Sequence, residues 1–205
     1  MIVFPSIRRL ALVAVTVGAS GLGACTQHVV RVAPEQAIDL SGRWNDTDSR
    51  LVANELITQS LGGTWLPRYT NTHGGESPAV IVGAFRNRTL EHIPVNAFIG
   101  DLERAMINSG AVRMVASAEE RAEIRGERED QQEHARADSR ARMAQELGAD
   151  YMLQGEITAI EDEEGREKVV YYQIDATLTD LESNIRVWAG QHKIKKYIER
   201  ARIGW

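Results

Sequence analysis

The chain of 205 residues carries a single cysteine, Cys25. A lone thiol can serve as a nucleophile, as half of an intermolecular disulfide, as a metal ligand or as a point of covalent attachment. Asp46 and Asp48 are the next residues whose spacing could do chemistry, since two carboxylates could share a cation or divide acid and base roles in a cell-wall hydrolase. The same pair at the start of a helix is explained more simply by the positive end of the helix dipole, and that explanation is preferred. His28, His73, His92, His134 and His192 are scattered, with no pair at the helical spacing of a zinc site, so each is expected to be solvated or hydrogen-bonded. Lys193, Lys195, Lys196, Arg200 and Arg202 form a basic C-terminus. They could meet a lipid head group or an acidic partner, or they could be the charged guard of an exposed edge strand. The chain contains no G-x-S-x-G elbow, phosphate loop or paired cysteines. The expectation is a protein with no catalytic residue, no cofactor and no metal, and not an enzyme.

The surroundings of Cys25 select attachment among its possible roles. Arg8 and Arg9 precede an apolar run from Leu10 to Val17, and small residues lead to Leu22-Gly23-Ala24 immediately before the cysteine. A basic head, a short apolar stretch and a small-residue exit mark an export signal. The run is too short and too rich in glycine for a spanning helix, which needs about 20 apolar residues. Leu22-Gly23-Ala24-Cys25 resembles the lipobox of bacterial lipoproteins. That resemblance implies cleavage before Cys25 and acylation of the sulfur, as with palmitate, where each buried CH₂ adds about 0.8 kcal/mol of membrane affinity.

Residues 1–24 are thus expected to be a lipoprotein signal peptide, 25–39 the lipidated cysteine and a short tether, and 40–205 one folded domain. The formal net charge is −5, and without Arg8 and Arg9 there remain 22 basic residues against 29 acidic ones, a charge of −7. Such a balance disfavours nucleic acid as a partner. Thr26 to Asp39 lacks periodicity and contains Pro34; fully extended, it reaches about 50 Å.

Asn45, Asp46 and Asp48 supply a cap and acidic first turn for a helix to about Leu61, with Ala53, Leu56, Ile57 and Leu61 as its buried stripe. Thr64 to Pro78, with two prolines and Gly74-Gly75, reads as an irregular loop. Ala79 to Phe85 is almost wholly apolar, as in a strand covered on both faces. A helix follows Pro94, with Val95, Phe98, Ile99, Leu102, Ala105 and Met106 at helical spacing, and closes at Asn108-Ser109-Gly110. Val112 to Val115 reads as a second strand. Ser117 and Glu120 form a capping box for a helix expected to reach Leu147, with Gly126 a weak point in it. From Glu119 to Arg142, 14 of 24 residues are charged, so this helix should lie partly in solvent, laced by pairs such as Asp138 and Arg142 or docked on a partner. Met143, Ala144 and Leu147 restore an apolar face before Gly148.

The last third alternates with period two through Tyr151, Leu153, Gly155, Ile157 and Ala159, and again through Val170, Tyr172, Ile174, Ala176 and Leu178. Asp162-Glu163-Glu164-Gly165 and Glu182-Ser183-Asn184 supply two turns, and a third strand runs from Ile185 to about Ile194. The expected fold class is α/β (α+β), a single mixed sheet with a C-terminal antiparallel meander flanked by helices.

Four strings carry a family resemblance: Asp39-Leu40-Ser41-Gly42-Arg43-Trp44-Asn45-Asp46-Thr47-Asp48, Glu91-His92-Ile93, Ile107-Asn108-Ser109-Gly110 and Gly148-Ala149-Asp150-Tyr151-Met152-Leu153-Gln154-Gly155. Together they resemble the LpoB family of outer-membrane lipoproteins over about Asp39 to Arg200. The resemblance implies a TolB-N-terminal-like α/β domain on a lipid anchor at the periplasmic face of the outer membrane. It further implies a monomer that activates a class A penicillin-binding protein, the bifunctional peptidoglycan synthase. No short motif of that family marks the contact residues, so the partner interface is unknown at this level. An alternative is a structural or secretion lipoprotein of the cell envelope, related to CsgG-like proteins.

Overall fold

The computed structural model describes residues 29–134 and 148–200. Cys25 and the whole expected signal therefore lie outside the described residues. The chain divides into a unit ending at Gln36 and a unit from Ala37 onward. In the first, residues 29–36 form no helix or strand, and one turn is closed by the Gln36 N–H donating to the Ala33 carbonyl at 3.0 Å.

The second unit opens with α1 (Asp46–Leu61), capped as its sequence requires. Asn45 is extended, its side-chain oxygen accepts from the Asp48 N–H at 3.0 Å, and Asp48 Oδ2 accepts from the Asn45 N–H at 2.9 Å. This reciprocal box satisfies two N–H groups that the helix itself leaves orphaned. Val52, Ala53, Leu56 and Ile57 then bury one face, while Leu61 is half-buried.

The segment expected to be an irregular loop contains a helix, α2 (Trp65–Thr72). Pro67 falls in its first turn, where the missing N–H has no acceptor to lose. Trp65 and Tyr69, one turn apart, are both buried and meet the Tyr151 ring edge-on at 5.1 and 5.7 Å. The glycines bracket this helix and do not break it.

Strand β1 (Ala79–Asn87) leads to α3 (Val95–Ser109), which ends on Gly110 in the left-handed conformation (φ 66°) and buries Phe98, Leu102 and Met106. β2 is only Arg113–Met114, shorter than expected. α4 (Ala118–His134) begins at the expected box: Ser117 N–H donates to Glu120 Oε2 at 2.7 Å, and Glu120 N–H to Ser117 Oγ at 3.2 Å. It passes through Gly126 unbroken and buries none of its residues. Its expected continuation, with the Asp138–Arg142 pair and the apolar Met143, Ala144 and Leu147, lies outside the described residues.

The meander is longer than its alternation suggests. β3 (Tyr151–Glu164), β4 (Glu167–Asp180) and β5 (Arg186–Glu199) pair antiparallel, with Glu164 opposite Glu167. The first turn is therefore Gly165-Arg166, with Gly165 at φ 62°, and Asp162 to Glu164 belong to the strand. Antiparallel pairing of Asp162, Glu163 and Glu164 with Val169, Lys168 and Glu167 keeps these acids in extended backbone, and ion pairs Glu161–Lys168 at 2.6 Å and Glu163–Arg200 at 3.0 Å bridge the meander beside them.

The five strands form one mixed α/β sheet ordered β2-β1-β3-β4-β5, with β1 parallel to both of its neighbours. α1 and α3 pack together, α1 against β5 and α3 against β1. Between them and the sheet lies a core of Val52, Leu56, Phe98, Leu102, Leu153, Ile157, Tyr172, Ile174 and Leu178. Where β1 bulges between Val82 and Phe85, the Phe85 ring covers Gly155.

Candidate functional site

Three polar clusters sit where chemistry could be expected, and each is engaged by the fold. Lys196 belongs to the core-facing set of β5, in phase with Ile194 and Ile198. Its ammonium donates to Asp48 Oδ2 at 2.6 Å, to Asp39 Oδ1 at 2.8 Å and to the Arg43 carbonyl at 3.1 Å. The Lys196 and Asp48 side chains are only 11% and 8% exposed, whereas Asp39 is half-exposed. One cation thus ties the segment before α1, the α1 cap and the last strand together. Burial opposes the charge on Lys196, but hydrogen bonds to Asp39 and Asp48 outweigh it and raise the ammonium's pKa. The Lys196 bond lowers that of Asp39.

Glu91 is the second centre. Its Oε1 accepts from the Tyr172 hydroxyl at 2.7 Å, and its Oε2 from the Trp44 N–H at 3.1 Å. The Trp44 ring lies edge-on to Phe98 and Tyr172, at 6.2 and 5.5 Å. Burial first, then the bond to Glu91, pushes the Tyr172 phenol well above its ordinary value. The third centre is Asp150, whose Oδ2 accepts from the Tyr69 hydroxyl at 2.8 Å and the Ala79 N–H at 2.7 Å. Burial and then this bond raise the Tyr69 phenol to about 12.

Asp46 and Asp48 sit in the first turn of α1, the position for which the helix-start explanation is preferred. Asp46 is exposed, while Asp48 serves the Asn45 cap and Lys196. His73 stacks on Tyr69 at 3.8 Å, His134 pairs with Asp130 at 3.1 Å, and His28 lies outside the described residues. Among the described residues no group of three His, Cys, Asp or Glu could hold a metal ion, and no helix is long and apolar enough to cross a membrane. An open depression of about 650 Å³ lies between β1, α3 and the start of α4, edged by Glu103, Glu119, Glu120 and Glu123. Partial burial, with Glu120 nearby, raises the Glu103 carboxyl.

None of the three centres stands out as a site in the sequence. Lys196 looked like one more charge in a basic terminus. Its phase was the missed signal, because it shares the Ile194–Ile198 register and so had to face inward. Glu91 carried no comparable signal, since its partners Trp44 and Tyr172 are remote in the chain.

The opposite face of the sheet has a different character. β1 pairs with β3 only as far as Asn87 opposite Ile157, so the ends of β3, β4 and β5 extend past it as a three-stranded ribbon. Directly across this ribbon lie Thr158, Gln173 and Lys193, then Ile160, Tyr171 and Lys195, then Asp162, Val169 and Tyr197. Ile160 is 68% exposed and Tyr197 59%.

The family model described as peptidoglycan-synthase activator LpoB matches residues 48–194. Among solved structures, the chain is similar to the LpoB C-terminal domain from Salmonella enterica, with 16% identity, 73% of this chain and 99% of that one covered, and a TM-score of 0.40. It is similar to the LpoB C-terminal domain from Escherichia coli at 17% identity, over 66% of this chain and 98% of that one, with a TM-score of 0.37. Lipoprotein GNA1162 from Neisseria meningitidis matches at 18% identity over 62% of this chain and 88% of that one, TM-score 0.37. No curated protein matches.

Proposed function

The chain belongs to the LpoB family of peptidoglycan-synthase activators, and from that premise we propose that it is a non-enzymatic regulator of a class A penicillin-binding protein. The observation that carries this reading is the family match across residues 48–194, which spans every element from α1 to the middle of β5. Two further features support it. The polar centres at Lys196, Glu91 and Asp150 are committed to folding contacts, and Leu22-Gly23-Ala24-Cys25 has the form of a lipidation site. Cys25 is the proposed lipid attachment, which holds the domain at the periplasmic face of the outer membrane.

An adaptor of this kind works only through differential affinity: it must bind the active state of the synthase more tightly than the resting state. Asp39 is tied to Lys196, so the proposed tether is the stretch from 26 to 38, which would reach about 45 Å if fully extended. The assembly alternative draws no support from the family match.

The test is a pull-down of the lipoprotein with class A synthases of its own organism, followed by glycan polymerisation with and without it. Capture of one synthase and faster polymerisation are expected. Absence of both would sink the proposal.

A further inference from the structure

Resting on the proposed function, we infer that the outer face of the β3–β4–β5 ribbon is the surface that docks the synthase, and that it fits an apolar protrusion flanked by carboxylates. The chain has four lysines in all, and two are consumed within the fold, Lys168 by Glu161 and Lys196 by Asp39 and Asp48. The other two, Lys193 and Lys195, have no ion-pair partner among the described residues and stand on the same outward face of β5. They lie directly beside Gln173 and Tyr171 of β4, with Ile160 next in the same row.

Ile160, Tyr171, Val169 and Tyr197 occupy adjoining positions across the three strands. An isoleucine that is 68% exposed beside a tyrosine ring is the kind of apolar centre that interfaces bury, with charge at its rim. Asp162, Glu164, Glu167 and Glu199 close the hairpin end of the same face. Cations on one flank and acids at the tip give the surface a direction. A partner must therefore present its carboxylates to the β5 side, which sets its orientation as well as its affinity. The protein as a whole is acidic, so a paired cationic flank on one face is not a feature of its average surface. On the opposite face of the same strands the lysine in register, Lys196, is neutralised by two carboxylates.

The experiment uses the full-length lipoprotein in detergent micelles with the purified synthase that the pull-down identifies. Affinity is measured for wild type, for the double reversal Lys193→Glu/Lys195→Glu, and for Ile160→Glu. Leu51→Glu on α1 and Ile107→Glu on α3 serve as controls, both positions being exposed and on the helices that pack against the inner face of the sheet. The ribbon variants are expected to weaken binding at least tenfold and to retain the wild-type thermal midpoint, while both controls bind as wild type. The double reversal should also flatten the salt dependence of Kd.

Wild-type affinity in both ribbon variants overturns the docking surface and leaves the activator reading standing. Failure of the wild-type chain to bind any class A synthase overturns the reading and this inference with it. Loss in the ribbon variants of self-association, or of binding to anionic phosphatidylglycerol vesicles, with synthase binding intact, assigns the face to a second copy or to the membrane and overturns the inference as well.

Discussion

Lys196 joins three chain-remote groups at one atom, because its Nζ donates to Asp39, the Arg43 carbonyl and Asp48. Replacing it by methionine keeps most of the volume but leaves the Asp48 carboxylate buried without its counter-charge. Removal of one partner from a buried pair costs about 3 kcal/mol or more, so Lys196→Met is expected to lower the urea midpoint markedly. The pH dependence has two signs. Asp39 titrates below its ordinary value, so its contribution is present above about pH 4 and is lost as pH falls through the lowered folded value. Lys196 titrates above 10.5, so its contribution is present below that pH and is lost as pH rises through the raised folded value. Stability of the wild type measured across pH should fall on both arms, and Lys196→Met should flatten both. A variant with unchanged arms would show that the three-way contact is not what couples the segment before α1 to β5. At Glu91, Tyr172→Phe removes one donor from a carboxylate that has two, and about 1–2 kcal/mol of destabilisation is expected by denaturant titration.

Among the elements, the sheet is most sensitive where β1 bulges. A Cβ at Gly155 would meet the Asp175 carbonyl oxygen and the Phe85 ring, and neither can give way without moving a strand or the core. Gly155→Val is expected to cost about 2–3 kcal/mol and to lower the melting temperature, although valine favours strands in general. The same residues show what could be read from sequence. The period-two run through Tyr151, Leu153, Gly155 and Ile157 revealed the strand, but the alternation could not reveal that Gly155 is a seat for Phe85, some 70 positions earlier. The α1 cap, α3 with its Gly110 stop and the Ser117–Glu120 box were legible because each is written within a few neighbouring residues. α2 was concealed by its Pro67 and flanking glycines. Its evidence was the Trp65–Tyr69 pair one turn apart, whose burial depends on Tyr151 across the fold. The hairpin turn was placed too early because Asp162 to Glu164 have poor strand propensity, which their pairing with Val169, Lys168 and Glu167 and the Glu163–Arg200 ion pair override. The position of a lysine on one face or the other could be counted from its register; its counter-ions could not.

For the whole molecule, the proposed activity depends on two quantities that the domain does not itself contain: residence at the membrane and reach from it. Cys25→Ser, with residues 1–24 replaced by an export signal whose cleavage does not need the cysteine, should leave the membrane fraction and lose activation in cells, because the tether no longer sets a local concentration near the synthase. Stimulation of the purified synthase in solution should remain, since the α/β unit from Ala37 onward carries the core, the three polar centres and the ribbon. Deleting residues 29–36 separates reach from anchoring. It removes a stretch that forms no helix or strand, keeps Cys25, and shortens the extended span by about 26–29 Å. The shortened lipoprotein should stay in the membrane fraction and stimulate the synthase in detergent as wild type does, yet fail to support synthesis in cells that depend on it. If the shortened chain still activates in cells, then about 45 Å of tether is more than the geometry requires, and the distance between anchor and synthase must be bridged chiefly by the partner.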